Sequence, residues 1–336
     1  MSPAGTAAIV TTLRNAGPVL DSFVAYHRAI GFAHIFLFFD DPDDPDLLRA
    51  RAMPGVTAIP HDSALKEAWR DLRSYSRLSA FLDSESASSQ DRVMARQQLN
   101  VEFAMGLARA AHYDWLLNID ADELFFSPNE PVAQHFATLT TTAFDTIGYS
   151  NFEAVPTRDD IDDFFREVDL FKPPPAHAKS LGAAFHHAEE TISQFKPYFH
   201  YYANGKSAVR LTTDPLEPVG VHRFQRSAGA TNVASSTGHF VLHYPCCGFD
   251  SFLSKYMTLG RFADKWWGQL DISELIGTFH LESRDVVMSG DRDRAHAFYR
   301  TRVAIADSHL VEQLLDSGLL VRFPQPRQII DAARNI

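Results

Sequence analysis

The sequence predicts an α/β fold, with a mainly parallel central sheet flanked by helices and a mostly helical C-terminal extension. Through the first 126 residues, short apolar runs alternate with helix-spaced apolar patterns. Such alternation implies right-handed crossovers between parallel strands. One apolar run ends in an acidic group, Asp120, Asp122 and Glu123, which is typical of the carboxyl edge of an open sheet, where ligands bind.

The apolar runs of the first half give the strands. Residues 7–13, 35–39 and 56–59 consist of apolar and β-branched residues, and the last two runs stop at Asp40 and Pro60. Residues 18–30 have helix-spaced apolar side chains and are followed by Gly31. Two further helices are predicted over residues 64–82 and 89–111. The second leads into the strand that ends at Asp120.

The second half has a looser pattern. Residues 145–152, 208–211 and 240–244 are predicted strands, residues 250–267 an amphipathic helix, and the last ~70 residues helical. We expect residues 173–187 to form a loop over the binding pocket or at its rim. The predicted organisation is therefore one domain over residues 1–245, with a nucleotide-binding half at about 1–126 and an acceptor half at about 127–245. A helical extension, residues 246–336, packs on it.

Composition limits the class of protein. The 336 residues are 45% hydrophobic and 22% charged, as in an ordinary globular protein. The net charge of −11 argues against nonspecific binding of nucleic acid, so we expect no nucleic-acid partner. The two cysteines, Cys246 and Cys247, are adjacent, which excludes a disulfide between distant segments of the chain and fits a reducing compartment.

Location follows from what the sequence does not contain. Residues 1–14 lack a signal-type apolar stretch, and no run approaches ~18 uncharged apolar residues. We therefore expect a cytoplasmic protein without a transmembrane segment, which could also associate peripherally with the inner membrane. The oligomeric state is not predicted.

The acidic group has a definite chemistry. Two carboxylates spaced D-x-D on an emerging strand, Asp120 and Asp122, can reach one divalent cation together. Hard oxygen donors suit Mg²⁺ or Mn²⁺, and such an ion usually completes its shell with water and substrate phosphates. The alternative is a solvated strand end without a ligand.

The order of several motifs resembles GT-A glycosyltransferases related to families 2 and 92. The likeness covers residues 6–126 well and 205–260 loosely. The residues that carry it are Thr12-Leu13-Arg14-Asn15, Tyr26-His27, Phe38-Phe39-Asp40-Asp41, Arg96 to Asn100, Trp115 to Glu123, and His243-Tyr244 with Phe249, Phe252 and Lys255. Two departures are Ala16 with Asp21 after Arg-Asn, and the Pro245 to Gly248 insert after His-Tyr.

The resemblance implies roles for these residues. Asp120 and Asp122 would bind Mn²⁺ or Mg²⁺, with Asp120 also near the donor ribose and Glu123 orienting the ligands. A downstream histidine would complete the metal shell, and both His222 and His243 are candidates. Candidate contacts to a nucleotide-sugar donor are Arg14, Asp40, Arg96, Asn100, Lys206 and Lys255. For each of these six, a plain polar strand end, helix face or surface position is the alternative.

The implied activity is transfer of a hexose from a nucleotide-diphosphate sugar, with UDP favoured, to a glycan or lipid-linked acceptor in surface polysaccharide synthesis. An inverting enzyme also needs a general base, for which Glu153, Asp214 and Glu217 are candidates. Two other functions stay open. A nucleotidyltransferase would also need carboxylates around a metal, and a carbohydrate-binding protein could keep the fold without catalysis.

Overall fold

The computed structural model describes residues 5–84, 87–174, 177, 180–183, 186–187, 204–212, 216–266, 270–271 and 279–334. The predicted fold class is confirmed, because a central sheet in which most strands are parallel is flanked by helices. None of the helices in these ranges has the length and apolarity needed to cross a membrane. Within the predicted loop at residues 173–187, residues 175–176, 178–179 and 184–185 lie outside the described ranges.

The strands, in chain order, are short after the first three. They are β1 Ala7–Leu13, β2 His34–Phe39, β3 Val56–Pro60, β4 Trp115–Asn118, β5 Glu123–Phe126, β6 Thr146–Tyr149, β7 Asn151–Ala154, β8 Leu170–Lys172, β9 Lys206–Arg210, β10 Leu216–Val219, β11 Arg223–Arg226, β12 Val233–Ser235, β13 Phe240–His243, β14 Lys265–Trp266, β15 Leu270–Asp271 and β16 Val321–Arg322.

The helices are distributed along the whole chain. They are α1 Val19–Ala29, α2 Leu47–Arg51, α3 Ser63–Trp69, α4 Tyr75–Asp83, α5 Ser89–Ala110, α6 Val132–Thr140, α7 Phe164–Glu167, α8 Phe249–Leu259, α9 Phe279–Met288, α10 Arg292–Arg302, α11 Ser308–Asp316 and α12 Gln325–Arg334.

The central sheet has the strand order β12-β6-β9-β4-β1-β2-β3. β1 pairs in parallel with both β2 and β4, and β9 is antiparallel to its neighbours β4 and β6. The carboxyl ends of β1, β2 and β4 therefore meet at one edge. The side chains that follow these strands, Arg14, Asp40 and Asp120, lie at that edge.

Two hydrophobic cores cover the two faces of the sheet. Successive residues of β1 alternate between them: Ala7 and Ile9 belong to the core under α1 and α6, whereas Ala8 and Val10 belong to the core under α5. Each face is thus closed by helices. The long helix α5 begins with a capping box formed by Ser88 and Asp91, which satisfies its first N–H groups.

A second sheet, with the order β16-β8-β7-β13-β5, lies next to the acidic group. β7 is its central strand, and β13 pairs antiparallel with β5 and parallel with β7. β16 comes from the C-terminal region and pairs with β8. The C-terminal region also contributes α12, whose Arg334 donates to Ser22 on α1. The described part of the C-terminal region, residues 246–334, is therefore largely helical, with β16 joining it to the second sheet and α12 to α1.

Several predicted boundaries were wrong for local reasons. The helix expected over residues 64–82 is two helices, α3 and α4, with a turn between them. The helix expected over 250–267 ends at Leu259, because Gly260 has a φ of 65°. The strand expected over 145–152 is divided into β6 and β7, which belong to different sheets.

Candidate active site

The acidic group forms a tight turn between β4 and β5. The backbone N–H of Asp120 donates to the Glu123 carboxylate at 2.7 Å, and the N–H of Glu123 donates to the Asp120 carbonyl at 3.1 Å. Glu123 is buried, and burial raises the pKa of its carboxyl to about 7 against the opposing effect of Lys206. Asp120 and Asp122 keep 31% and 26% of their side-chain surface exposed. They are the two acids of the turn that a ligand can reach.

Lys206 neutralises the first carboxylate. Its ammonium lies 2.6 Å from the Asp120 carboxylate and 3.6 Å from that of Glu123. β9 runs beside β4, with Ser207 opposite Asn118, and this pairing brings Lys206 to the acidic turn. The Lys206 side chain is fully buried. It is therefore a fixed internal cation, and the surface position considered as its alternative was wrong.

Lys255 neutralises the second carboxylate. This residue of α8 donates to the Asp122 carboxylate and to the Pro245 carbonyl, each at 3.0 Å. Burial by itself would lower the pKa of Lys255, but the Asp122 carboxylate outweighs it and raises that pKa. Lys255 retains 29% of its side-chain surface exposed. Unlike Lys206, it has access to a bound ligand.

A row of buried charged side chains crosses the second sheet. Lys172, Glu153, His243 and Glu123 are successive register partners on β8, β7, β13 and β5. His243 Nδ1 lies 2.7 Å from the Glu153 carboxylate, and its Nε2 lies 3.8 Å from that of Asp122. The row therefore holds the His243 ring between two carboxylates, with Nε2 directed to the D-x-D pair.

These contacts set the protonation states. Burial by itself would lower the pKa of His243, but Glu153 and Asp122 outweigh it and raise that pKa to about 10. Burial would raise the pKa of Asp122, but Lys255 and His243 lower it below its ordinary value. Burial lowers the pKa of Lys172 well below its ordinary value. The site thus contains an ionised Asp122 beside two cationic side chains.

His222, the other candidate ligand, lies in the turn between β10 and β11. Its Nδ1 is 2.9 Å from the Gly205 carbonyl, beside Lys206. Burial, reinforced by the Lys206 ammonium, lowers the pKa of His222 to about 3. His222 therefore adjoins the Asp120 side of the site, whereas His243 faces Asp122.

Helix α5 supplies three polar side chains to the sheet edge. Arg96 pairs with the Asp40 carboxylate at the end of β2, with one contact of 2.8 Å. Asn100 donates to Thr12 at 3.0 Å and is directed at β1 rather than at the acidic turn. The residue of α5 that contacts Asp120 is Gln97, at 3.4 Å. Sequence spacing favoured Arg96 with Asn100. Gln97 could be found only once the orientation of α5 against the sheet was known.

The loop after β1 is occupied by protein carboxylates. The backbone N–H groups of Asn15 and Gly17 donate to Asp44 and Asp46, each at 2.7 Å. Arg14 is 48% exposed and lies 3.4 Å from the Asp41 carboxylate. Because its N–H groups already have acceptors, this loop does not resemble the phosphate-binding loop of a nucleotidyltransferase.

Tyr26 and His27, two residues that carry the resemblance, hydrogen-bond to the backbone of β5, the strand that follows the acidic turn. The Tyr26 hydroxyl donates to the Phe125 carbonyl at 3.0 Å, and the Phe125 N–H donates to His27 Nε2 at 3.1 Å. Burial lowers the pKa of His27 to about 3, so its ring is neutral and can accept this bond. The pair fixes β5, which begins with Glu123.

The general-base candidates have different positions. Glu153 is buried in the charged row, where one carboxylate oxygen accepts from Asn151 and His243 and the other has no hydrogen-bond partner within the described residues. Glu217 lies on β10 and accepts from Ser227 across the β10–β11 hairpin. Asp214 lies outside the described residues.

The donor set at the site fits a hard divalent cation. Asp122 offers carboxylate oxygen, His243 directs Nε2 at it, and Asp120 presents a second partly exposed carboxylate. The contact from Glu153 to Nδ1 is the kind of outer bond that orients a metal-binding imidazole. A ligand nitrogen must lose its proton, so a cation and a proton compete for Nε2.

Comparisons with known proteins indicate the class of protein. No family model matches the sequence. Two Arabidopsis thaliana proteins, both named glycosyltransferase-like, are 28% and 26% identical to it over 319 and 323 residues. Each alignment covers 93% of this chain, and the chain spans 69% and 60% of the two relatives. The chain is therefore similar, over most of its length, to proteins named glycosyltransferase-like. The predicted resemblance to glycosyltransferases is confirmed by these relatives.

Solved structures are more distantly similar. Glucosyl-3-phosphoglycerate synthase from Mycobacterium tuberculosis, in complex with Mn²⁺, UDP and phosphoglyceric acid, has 12% identity and a TM-score of 0.28, with 61% of this chain and 56% of that chain covered. Core-mannan synthase A from Aspergillus fumigatus, in a Mn/GDP form, has 12% identity and a TM-score of 0.29, with 61% and 59% covered.

Proposed function

We propose that this protein is a metal-dependent glycosyltransferase. It moves a hexose from a nucleotide-diphosphate sugar, in the first place a UDP-sugar, to a glycan or lipid-linked acceptor. The observation that carries the proposal is the meeting of Asp120 and Asp122 with His243 at the carboxyl edge of the central sheet. Homology to glycosyltransferase-like proteins supports the same reaction class.

In this proposal Asp122 and His243 hold Mn²⁺ or Mg²⁺, with Asp120 beside them. The cation supplies Lewis-acid stabilisation of the diphosphate that leaves the sugar. Glu153 orients His243 through Nδ1. Lys206 stays with Asp120, because withdrawing a fully buried ammonium from its carboxylates would leave charges unpaired. His222 is assigned to the binding-site wall.

Contacts to the donor come from the exposed part of the same edge. Lys255 is partly exposed and can turn from Asp122 to a phosphate oxygen. Arg14 is half-exposed at the end of β1 and is assigned to the donor base or diphosphate. The Asp40 carboxylate, fixed by Arg96, is assigned to the base or ribose. Asn100 acts indirectly, since it contacts Thr12 of β1.

Glu153 is our choice of general base if the reaction inverts the anomeric centre. It lies within the charged row that ends at the acidic turn, and its second carboxylate oxygen is buried without a hydrogen-bond partner in the described part of the chain. Glu217 is instead on the β10–β11 hairpin, bound to Ser227. Asp214 keeps its place as an untested alternative.

The test compares E153Q with the matched variant E217Q in assays of UDP-sugar turnover, with D214N alongside. We expect E153Q to lose at least about 100-fold in turnover, the scale of a lost general base, and E217Q to keep normal turnover. Full activity in E153Q would remove Glu153 from the mechanism. A nucleotidyltransferase would instead join a nucleoside triphosphate to a sugar phosphate and release pyrophosphate. Release of pyrophosphate in place of UDP would therefore overturn the proposed glycosyl transfer.

We also propose a cytoplasmic enzyme that works at the inner membrane in surface polysaccharide synthesis. Cell fractionation tests this. Protein released from the membrane fraction by high salt is expected of a peripheral enzyme, whereas release only by detergent would contradict peripheral association.

A further inference from the structure

A second group of ligand-type side chains lies at the other end of β5 and β13. In that strand pair His243 is opposite Glu123 at one end, and Phe240 is opposite Phe126 at the other. Beyond the Phe126 end, Glu130 lies in the loop after β5 and His135 on α6, while His239 immediately precedes β13. The three residues thus come from separate segments, about three residues of strand, or roughly 10 Å, from the acidic turn.

The spacing of the three side chains is that of ligands around one ion. The Glu130 carboxylate lies 3.1 Å from His239 Nε2 and 3.5 Å from His135 Nδ1. One ligand atom from each residue lies within 4.8 Å of the other two. Around a tetrahedral ion with metal–ligand bonds of about 2.1 Å, neighbouring ligands are about 3.4 Å apart. The two measured separations lie on either side of that value.

The outer nitrogens of both rings already have partners. His135 Nε2 is 2.9 Å from the Tyr149 hydroxyl, and His239 Nδ1 is 3.2 Å from the Ser236 hydroxyl. When these outer nitrogens carry the hydrogens, the lone pairs of the inner nitrogens converge on Glu130. His239 Nε2 is buried, and its approach to Glu130 lacks hydrogen-bond geometry. An outer partner that fixes the tautomer is the usual surrounding of a metal-binding histidine.

Packing between aromatic rings holds the two histidine side chains in place. The rings of His135 and His239 are 3.7 Å apart between centroids, and Phe125 stacks on His239 at 6.1 Å. The ligands are therefore placed before any ion binds. Glu130 keeps 25% of its side-chain surface exposed, so water can complete a fourth position.

We propose that Glu130, His135 and His239 form a Zn²⁺-type divalent metal site, separate from the site at Asp120 and Asp122. Two imidazole nitrogens and one carboxylate are a donor set that Zn²⁺ binds with a water as fourth ligand. The ion links α6 to the start of β13 and so stabilises the second sheet. Its position makes it structural rather than part of sugar transfer.

The test measures binding of Zn²⁺, and of Co²⁺ as a spectroscopic probe, to the chelator-treated full chain. We expect one equivalent of Zn²⁺ and a Co²⁺ absorption band of the intensity typical of tetrahedral coordination. E130Q and H239Q should weaken this binding by at least about 100-fold, more than is usual for loss of an outer partner. Y149F, which removes only the outer hydrogen bond of His135, should weaken it about 10- to 100-fold.

D122N is the matched control, because it alters the other site and leaves this one intact. It should retain the tetrahedral Co²⁺ band and the equivalent of Zn²⁺. Glu130 is partly exposed, so E130Q is expected to fold, and its circular dichroism spectrum should match that of the wild type. Unchanged Zn²⁺ and Co²⁺ binding in folded E130Q would overturn the proposal. Loss of both in D122N but not in E130Q would also overturn it, by assigning the ion to the acidic turn.

Discussion

Replacing His27 with glutamine should change how the stability of the protein depends on pH. The His27 ring is fully buried, with Nδ1 2.9 Å from the Phe23 carbonyl and Nε2 accepting from the Phe125 N–H. Burial lowers its pKa from 6.5 to about 3. The folded protein therefore keeps this ring neutral in mildly acidic solution, whereas the unfolded chain protonates it.

The size of the effect follows from the two pKa values. Since the folded-state pKa is depressed, the unfolded state binds the extra proton, and the stabilising effect is complete above pH 6.5 and falls as the pH drops below it. At pH 5 the solution is about 1.5 pH units below the pKa of the unfolded histidine. Protonation of that histidine then favours the unfolded chain by about 2 kcal/mol. H27Q has no titrating ring at this position, so its free energy of unfolding lacks this pH-dependent contribution. The difference in the free energy of unfolding between wild type and H27Q should thus be about 2 kcal/mol smaller at pH 5 than at pH 8.

Urea unfolding followed by far-ultraviolet circular dichroism at pH 8 and pH 5 measures this difference. The matched control is H309Q, which makes the same substitution at an exposed histidine of α11 and should leave the free energy of unfolding nearly unchanged at pH 8. If the difference between wild type and H27Q is the same at both pH values, the buried, neutral state of His27 is refuted.

Two further substitutions test the supports of the acidic turn. Gly205 has a φ of 60°, and an added Cβ would lie 2.0 Å from the Tyr149 carbonyl oxygen, so G205A should destabilise the protein by more than about 1 kcal/mol in urea unfolding. G290A, with φ 77° and open space around it, should cost less; equal costs would contradict the close approach. K206M removes the buried cation beside Asp120 and Glu123 and should cost about 3 kcal/mol. The exposed K66M is its control, and equal stability of the two variants would show that Lys206 is not an internal counter-charge.

The parts of the fold that the sequence predicts well are those with strong local patterns. β1 is an apolar and β-branched run, β2 is apolar from Ile35 to its polar stop at Asp40, and α5 has both a long helical pattern and a capping box. The strands of the second sheet have two to four residues each, too few for a period of two to stand out. α6 was also missed, although Pro131 immediately precedes it at a position that favours helix starts.

The candidate site was predictable only as far as strand ends indicate it. The run that ends at Asn118 places Asp120 and Asp122 at the sheet edge. Their partners could not be found this way, because Lys206 and Lys255 are 86 and 133 residues away from the acids they contact. The row from Lys172 to Glu123 depends on pairing among β8, β7, β13 and β5, which no local pattern encodes. A lysine at the end of a short apolar strand, as at Lys172, was the one available signal.

The central claim, a donor site that depends on a divalent cation at Asp122, is tested most directly by calorimetric titration of UDP, GDP and TDP into the purified protein. Each titration is done with Mn²⁺ and with EDTA, on the wild type and on D122N. We predict that one nucleotide, UDP in the first place, binds the wild type only with Mn²⁺, and that D122N stays folded but loses this binding. Equal nucleotide binding with Mn²⁺ and with EDTA, or Mn²⁺-dependent binding retained in D122N, would contradict the assignment.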